Sequence, residues 1–502
     1  MSKVYLLGAG PGDPGLLTVK SREILEQADV VVYDYLANKT FLSYCRPDAE
    51  VIYVGKKGGD HTLPQDEINA LIVRKAREGK SVARLKGGDP YVFGRGAEEA
   101  EELLEAGVQF EVVPGVTSAV AGPAYAGIPL THRRFASSVS FITGHEDPTK
   151  PDSVHNWKAL ASGTSTLVFF MGVKNLPSIT SNLMKAGMDP AMPAALVRWG
   201  TTADHQSWVS TVGEIAEMAV REGVKPPSLL VVGRVVTLRD TLNWFEQLPL
   251  LGKGVVVTRA REQASTLVSL VEKMGARCYE FPTIKIEPLA DYAPVREKIG
   301  QLGGYDWVIF TSVNGVRHFW NQLREQGLDA RALGGRKVAA IGPATAAALK
   351  HRGVHADFVP EKYVAESVVE GLLALGVKGK KVLIPRARVA REVLPEQLRE
   401  AGADVEILPV YETVLAQESG QEIEELMRQG RIRFLTFTSS STVENFFSLV
   451  SPDALRPYAG NQVRIGCIGP VTAETLSRYG FSPDVMPEEY TVPALAEALA
   501  RG

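Results

Sequence analysis

Arg84-Leu-Lys-Gly-Gly-Asp-Pro-Tyr-Val-Phe-Gly-Arg-Gly96 is the stretch on which the reading of the first half of this chain turns. It follows a short strand-like run, Ser81–Leu85, and precedes a helical pattern that begins near Ala97. Glycine lacks a side chain and tolerates unusual dihedrals, so a glycine-rich strand-to-helix crossing can bring bare main chain close to a ligand. Upstream, Lys3–Leu7 reads as a buried strand running into Gly8-Ala-Gly-Pro-Gly-Asp-Pro-Gly15, after which Leu16–Gln27 has helical spacing. A dinucleotide fingerprint needs glycine where Asp13 stands and a helix that opens at once, whereas Pro11 and Pro14 delay it. The loop is therefore built for main-chain contact with another ligand. Ala28–Asp34 and Val51–Gly55 are further strands, delivering Asp34 and Lys56 to the edge where ligands bind in open α/β sheets. Downstream, Phe110–Ala119 is a strand, a Pro-Gly turn and a Thr/Ser pair opening a small-residue helix. Strands at Ser165–Gly172, Ala194–Thr201 and Ser228–Gly233 continue an alternation with helices, so the half is α/β, in two lobes meeting near Pro114.

With 502 residues the chain exceeds what one core serves, and its composition, 45% hydrophobic and 23% charged, is that of a globular protein. A net charge of -3 gives no global attraction to nucleic acid, so an anionic substrate must meet local basic clusters. Cys45, Cys278 and Cys467 are far apart and have no metal-type spacing, which fits a reducing cytoplasm and no metal centre. No apolar run approaches the ~18 residues of a spanning helix, and the amino terminus turns to glycine too early for a signal peptide. A cytoplasmic protein with no membrane partner is expected.

Val4–Thr18, Arg84–Gly96, Pro114–Ala119 and Gly127–His132, in that order, resemble the tetrapyrrole methylases, most closely uroporphyrinogen-III C-methyltransferase, over about residues 1–245. The resemblance implies S-adenosylmethionine held between lobes of about 1–114 and 115–246, and two methyl transfers to carbons of uroporphyrinogen III, giving precorrin-2. Carried over by position, Pro11, Gly87, Gly88, Asp89, Val92, Thr117, Ser118, Met171 and Gly200 would touch the cofactor. Asp34 matches the family's proposed proton acceptor and Lys56 its proposed donor. Arg234 departs from the pattern, standing where a glutamate is expected. The substrate carries eight carboxylates, for which Arg84, Lys86, Arg95, Arg133, Arg134 and Arg198 are candidate partners, arginine offering a two-pronged match. The resemblance also implies a homodimer through this half.

Trp244–Gly254 ends one helical pattern and starts a new strand, placing a boundary near residue 250, between a unit of 1–246 and another of 253–502. Beyond it Arg261 answers Arg388, Ser312 answers Ser439 and Thr345 answers Thr472, always 127 residues apart, which means two copies of one α/β unit. Thr-Ser and Gly-Pro-x-Thr stand between strand and helix in each copy, where amides and hydroxyls at helix starts can face carboxylates. The arrangement resembles uroporphyrinogen-III synthase, a two-lobed, pseudo-symmetric fold. It implies one lobe from residues 253–286 with 413–502 and another from 287–412. Tyr411 would help the terminal hydroxyl of hydroxymethylbilane depart, and Thr311, Thr438, Ser439 and Thr472 would line the cleft. A bifunctional enzyme is expected, the second half making what the first consumes. The rival readings are methylation of another corrinoid intermediate and a second half that only binds tetrapyrrole.

Overall fold

The computed structural model describes residues 3–55, 63–145, 155–258, 261–360, 365–390, 392–415 and 420–502. The expected α/β class holds, with four sheets accompanied by helices among the described residues. The first contains β1 (Val4–Gly8), β2 (Val30–Tyr33), β3 (Glu50–Tyr53), β4 (Val82–Lys86) and β5 (Phe110–Val113) in the order β3-β2-β4-β1-β5, with every neighbouring pair parallel. Val4, Leu6, Leu7, Val30, Val31, Val32, Val82, Ala83 and Leu85 are all buried, the near-continuous apolar runs of a sheet covered by helices on both faces. Because the strands are parallel, their C-terminal ends share one edge, and Asp34 and the glycine loops gather there.

The second sheet contains β6 (Val139–Thr143), β7 (Thr166–Phe170), β8 (Pro193–Arg198), β9 (Gln206–Thr211) and β10 (Ser228–Val232), in the order β6-β7-β10-β8-β9. Here the steady strand–helix alternation fails. Residues 199–205 carry β8 directly to β9, too short a link for a crossover, and the two strands pair antiparallel. Only β6 and β7 pair in parallel in this sheet.

The second half continues with β11 (Gly254–Val257), β12 (Arg277–Glu280), β13 (Ile284–Glu287), β14 (Trp307–Phe310), β15 (Lys337–Ala340), β16 (Lys381–Ala387), β17 (Asp404–Leu415), β18 (Phe434–Phe437) and β19 (Arg464–Cys467). One sheet runs β12-β11-β18-β19 and the other β13-β17-β16-β14-β15. The 127-residue repeat is present in the hydrogen bonding. Asp357 Oδ2 accepts the Val338 amide at 2.7 Å, and Asp484 Oδ2 accepts the Ile465 amide at 2.7 Å. Ala339 bridges Phe358 as Gly466 bridges Val485. Ser312 and Ser439 cap the helices Val313–Glu325 and Ser440–Leu449. The copies are interlocked: β11 and β12 from the first copy share a sheet with β18 and β19 from the second, while β14 and β15 join β16 and β17.

The chain divides into two compact units, residues 1–255 with 268–278 and 496–502, and residues 256–267 with 279–495. Among the described residues no helix is long and apolar enough to cross a membrane.

Candidate active sites

In the first half, β4, β1 and β5 lie side by side and end together, so the loops that follow them meet. The Ala9 amide donates to the Lys86 carbonyl at 2.7 Å, and Gly10 and Gly88 exchange N–H···O bonds of 3.1 and 2.7 Å. A Cβ on Gly8 would lie 2.4 Å from Gly115 Cα, and one on Gly115 would lie 2.3 Å from the Gly88 oxygen. Three main chains thus touch where any side chain would part them. The glycines expected to admit a ligand first admit one another. Asp89 ties the same loops, its Oδ2 accepting the Gly115 amide at 3.0 Å and its Oδ1 the Tyr91 amide at 2.8 Å. Thr117 caps the helix Ser118–Tyr125, setting its hydroxyl and that of Ser118 at the helix start beside this junction.

The facing wall comes from the second lobe. Met171 follows β7 and Gly200 follows β8, and a Cβ on Gly200 would lie 2.7 Å from Gly122 Cα. Asp13, which displaces the third fingerprint glycine, serves as a bracket. Its Oδ1 accepts from the Gly15 amide at 2.7 Å, its Oδ2 from the Tyr125 hydroxyl at 2.5 Å, and its own amide donates to Thr201 Oγ1 at 3.1 Å. Burial, reinforced by the bond to Asp13, raises the Tyr125 phenol above its ordinary value and keeps it a donor. Among the described residues, non-glycine positions with positive φ are Phe93, Arg95, Met171, Trp199 and Thr201, and all five lie on the loops that follow β4, β7 and β8. Strain of this kind costs about 1–3 kcal/mol per residue and persists where the surroundings enforce it. Aromatic contacts span the lobes, Phe93 with Phe170 at 4.9 Å and Tyr35 with Trp199 at 5.8 Å. Tyr35, Phe93 and Met171 are nonetheless exposed, as is Leu36, so an apolar wall faces solvent. Pro11 and Val92 are half-buried on the two loops.

The basic residues divide. Arg84 and Lys86, expected to face substrate, are 3% and 4% exposed and turn inward. Both alternate onto one face of β4 and meet Glu99 Oε1, Arg84 through Nε at 3.2 Å and Lys86 through Nζ at 2.6 Å. Burial, with repulsion from Arg84, pulls the Lys86 ammonium below its usual pKa in spite of Glu99. Arg84 Nη2 also reaches Asp34 Oδ2 at 3.1 Å. Arg95 pairs with Glu98, and Arg198 donates to Gln206 Oε1 at 3.0 Å. Arg133 and Arg134 are exposed. Arg134 and the departing Arg234 both lie over the Phe135 ring, at 5.5 and 5.1 Å, so Arg234 makes a cation–π contact. Lys56 lies outside the described residues. Glu99 was not foreseen. A signal existed, since it shares a stripe with Ala100 and Leu103 on the face of helix Gly96–Glu105 that is turned inward.

In the second half Tyr411 is 6% exposed near the end of β17. Its hydroxyl lies 3.2 Å from Ser312 Oγ, and its ring stacks on His318 at 5.3 Å. Burial raises the Tyr411 phenol, while Ser312 and the positive Arg317 act against that rise. Arg317 is a charged neighbour that the sequence did not reveal. Arginine cannot accept, so its contact with His318 Nε2 at 3.3 Å leaves the histidine proton on Nδ1, facing the Tyr292 hydroxyl at 3.3 Å. Tyr292 in turn donates to the Val410 carbonyl at 3.1 Å, fixing the strand beside Tyr411. Thr311, Thr438 and Ser439 are half-buried after β14 and β18, and Thr472 is buried in the helix Pro470–Ser477.

Comparison with known proteins gives two family matches. Residues 3–216 match the tetrapyrrole (corrin/porphyrin) methylases, and residues 265–497 match uroporphyrinogen-III synthase HemD. Porphyrin biosynthesis protein HemD of Ruminiclostridium josui is 39% identical over 498 residues, 99% of this chain and 97% of that one. Uroporphyrinogen-III C-methyltransferase of Priestia megaterium is 51% identical over 236 residues, 47% of this chain and 99% of its own. A crystal structure of the Thermus thermophilus uroporphyrin-III C-methyl transferase complexed with S-adenyl homocysteine is 41% identical over 47% of this chain and 99% of that one, with a TM-score of 0.41. The motifs in the two halves and the relative that spans almost the whole chain agree: this protein belongs to the family in which a tetrapyrrole methylase is fused to a HemD-type uroporphyrinogen-III synthase, in porphyrin biosynthesis.

Proposed function

We propose that the chain is bifunctional: the second half closes hydroxymethylbilane to uroporphyrinogen III, and the first half methylates that product twice from S-adenosylmethionine to give precorrin-2. The observation that carries the reading is the junction of Gly8, Gly88 and Gly115 beside Asp34, at the C-terminal edge of a parallel sheet. Its donor set suits the nucleotide. Loop main chain and the Thr117 and Ser118 hydroxyls offer bonds to carboxylate and ribose, while Leu36, Phe93 and Met171 offer exposed apolar cover. Pro11, Gly87, Gly88, Asp89, Val92 and Gly200 complete the proposed contacts. Bound there, S-adenosylmethionine supplies a methyl group already activated as an electrophile.

The protein's own share is alignment, exclusion of water and proton transfer. Tyr35, Phe93, Phe170 and Trp199 form a wall on which a macrocycle can lie. Arg95, Arg133, Arg134 and Arg198 meet its rim carboxylates. Asp34 takes the proton that the methylated macrocycle sheds, and Lys56 is assigned the donor role. In the second half Tyr411 assists departure of the bilane's terminal hydroxyl, and the paired helix starts hold its carboxylates. A homodimer through the first half is part of the proposal, checked by light scattering.

The test supplies hydroxymethylbilane and S-adenosylmethionine to the full chain and follows products by mass and absorbance. Isomer III bearing two added methyl groups is expected. Isomer III without methyls removes the methyltransferase assignment, and spontaneous isomer I alone removes the synthase assignment.

A further inference from the structure

The inward turn of Arg84 gives it a different task from the one its sequence position predicts. All three guanidinium nitrogens are engaged by the protein: Nε with Glu99 Oε1 at 3.2 Å, Nη1 with the Leu85 carbonyl at 3.2 Å, and Nη2 with Asp34 Oδ2 at 3.1 Å. Glu99 is 1% exposed and is itself fixed by Lys86 at 2.6 Å and by Gln65 Nε2 at 3.1 Å. Asp34 is held from its other oxygen as well, since Oδ1 accepts the Leu36 amide at 3.1 Å. Its side chain is 28% exposed, against 3% for Arg84. Thus the carboxylate that reaches the open site is clamped from behind by a cation that does not.

We propose that Arg84, anchored by Glu99, is a positioning residue that fixes the rotamer of the Asp34 carboxylate for proton removal, and does not bind a substrate carboxylate. The inference rests on the reading of Asp34 as the proton acceptor. A planar fork with three fixed acceptors has one orientation, so one carboxylate oxygen is held toward Arg84 and the remaining lone pairs face the site. A reacting group moved by about 1 Å loses on the order of 10²-fold in rate. Asp34 stands on the short segment after β2, where the Leu36 amide holds only Oδ1, so the clamp adds a fixed partner for the second oxygen.

The test uses the full chain with uroporphyrinogen III and S-adenosylmethionine, comparing Arg84→Met, Arg84→Lys, Asp34→Asn and the Asp34→Asn/Arg84→Met double variant. Calorimetry with S-adenosylhomocysteine reports the nucleotide site independently of turnover. For Arg84→Met, kcat is expected to fall by about 10²-fold, with KM for the tetrapyrrole and nucleotide Kd within about threefold of the parent. The double variant is expected to be no slower than Asp34→Asn, because the arginine acts through the aspartate. Arg84→Lys keeps the charge but loses the fork, and falls between. If Arg84→Met does not fold, Arg84→Lys carries the same split between kcat and KM. A tenfold rise in KM with kcat retained would restore Arg84 as a substrate clamp, and losses that multiply in the double variant would equally overturn the inference. Parental kcat in Asp34→Asn would instead remove the proton-acceptor reading, and the positioning role with it.

Discussion

Single atoms decide the first site. A methyl group at residue 115 would lie 2.3 Å from the Gly88 oxygen, on main chain that cannot swing aside. Gly115→Ala is therefore expected to destabilise the fold by about 1–3 kcal/mol and to abolish nucleotide uptake, read by thermal melting and by calorimetry with S-adenosylhomocysteine. A second prediction concerns Cys467, fully buried in β19, whose thiol is pushed up to about 12 by burial. Below pH 9, the thiol's ordinary value, both states are protonated and nothing is lost. As pH rises past 9 the unfolded chain ionises and the folded one does not, so stability falls by about 1.4 kcal/mol per pH unit until about pH 12. Urea melts should show the advantage of the parent over Cys467→Ala shrinking from pH 9 upward; an advantage constant with pH would refute it. At this scale the sequence was legible in its glycines and silent on its charges. Arg84 and Arg95 look alike as basic residues of one glycine-rich stretch, yet only the packing of helix Gly96–Glu105 buries a carboxylate against the first. Thr311 and Ser312 can both cap, and only the backbone path shows that the Ser312 hydroxyl takes the Gly315 amide, at 2.9 Å.

Elements follow their local chemistry more openly. The alternation of buried runs with helical spacing predicted the α/β class, and the apolar runs of the first sheet are those of parallel strands covered on both faces. The β8–β9 hairpin escaped that reading. β8 is a buried apolar run like those of a parallel strand, β9 is half-exposed and irregular in pattern, and nothing in residues 199–205 announces a turn as Asn-Gly would. The hairpin is pinned by Glu246, from the short helix Phe245–Gln247, which accepts from His205, Ser207, Asn243 and Arg239. Burial alone would raise the Glu246 carboxyl, but these donors outweigh it and hold the group far below the usual carboxylate range. Its contribution is thus complete above the unfolded value near 4.5 and is lost as pH falls below it. Glu246→Gln is expected to cost about 2 kcal/mol at pH 7 and to flatten the acid limb of the stability profile in chemical denaturation. A limb as steep as that of the parent would place the acid sensitivity elsewhere.

At the scale of the whole molecule, the interval of 127 residues announced two copies without saying how they pair. Periodicity fixes what is repeated, whereas sheet membership depends on which edges meet, and here both sheets draw strands from each copy, two and two in one and three and two in the other. A cut between Gly379 and Lys380 therefore separates the copies in sequence but leaves neither with a complete sheet. Fragments 253–379 and 380–502 are expected to be unfolded alone by circular dichroism and to recover native signal when mixed. An independently folded fragment would show that the copies are self-sufficient.

That interlocking also sets a timetable at the ribosome. β11 pairs with β18, so Val257 waits for Phe434 to be synthesised, roughly 9 to 35 s at about 5–20 residues per second. Throughout that delay the nascent polypeptide carries an unpaired apolar edge, Gly254-Val-Val-Val257, close behind a completed amino-terminal half. A premature stop codon between β11 and β18 would leave that edge permanently open, exposing the translation product to aggregation and proteases.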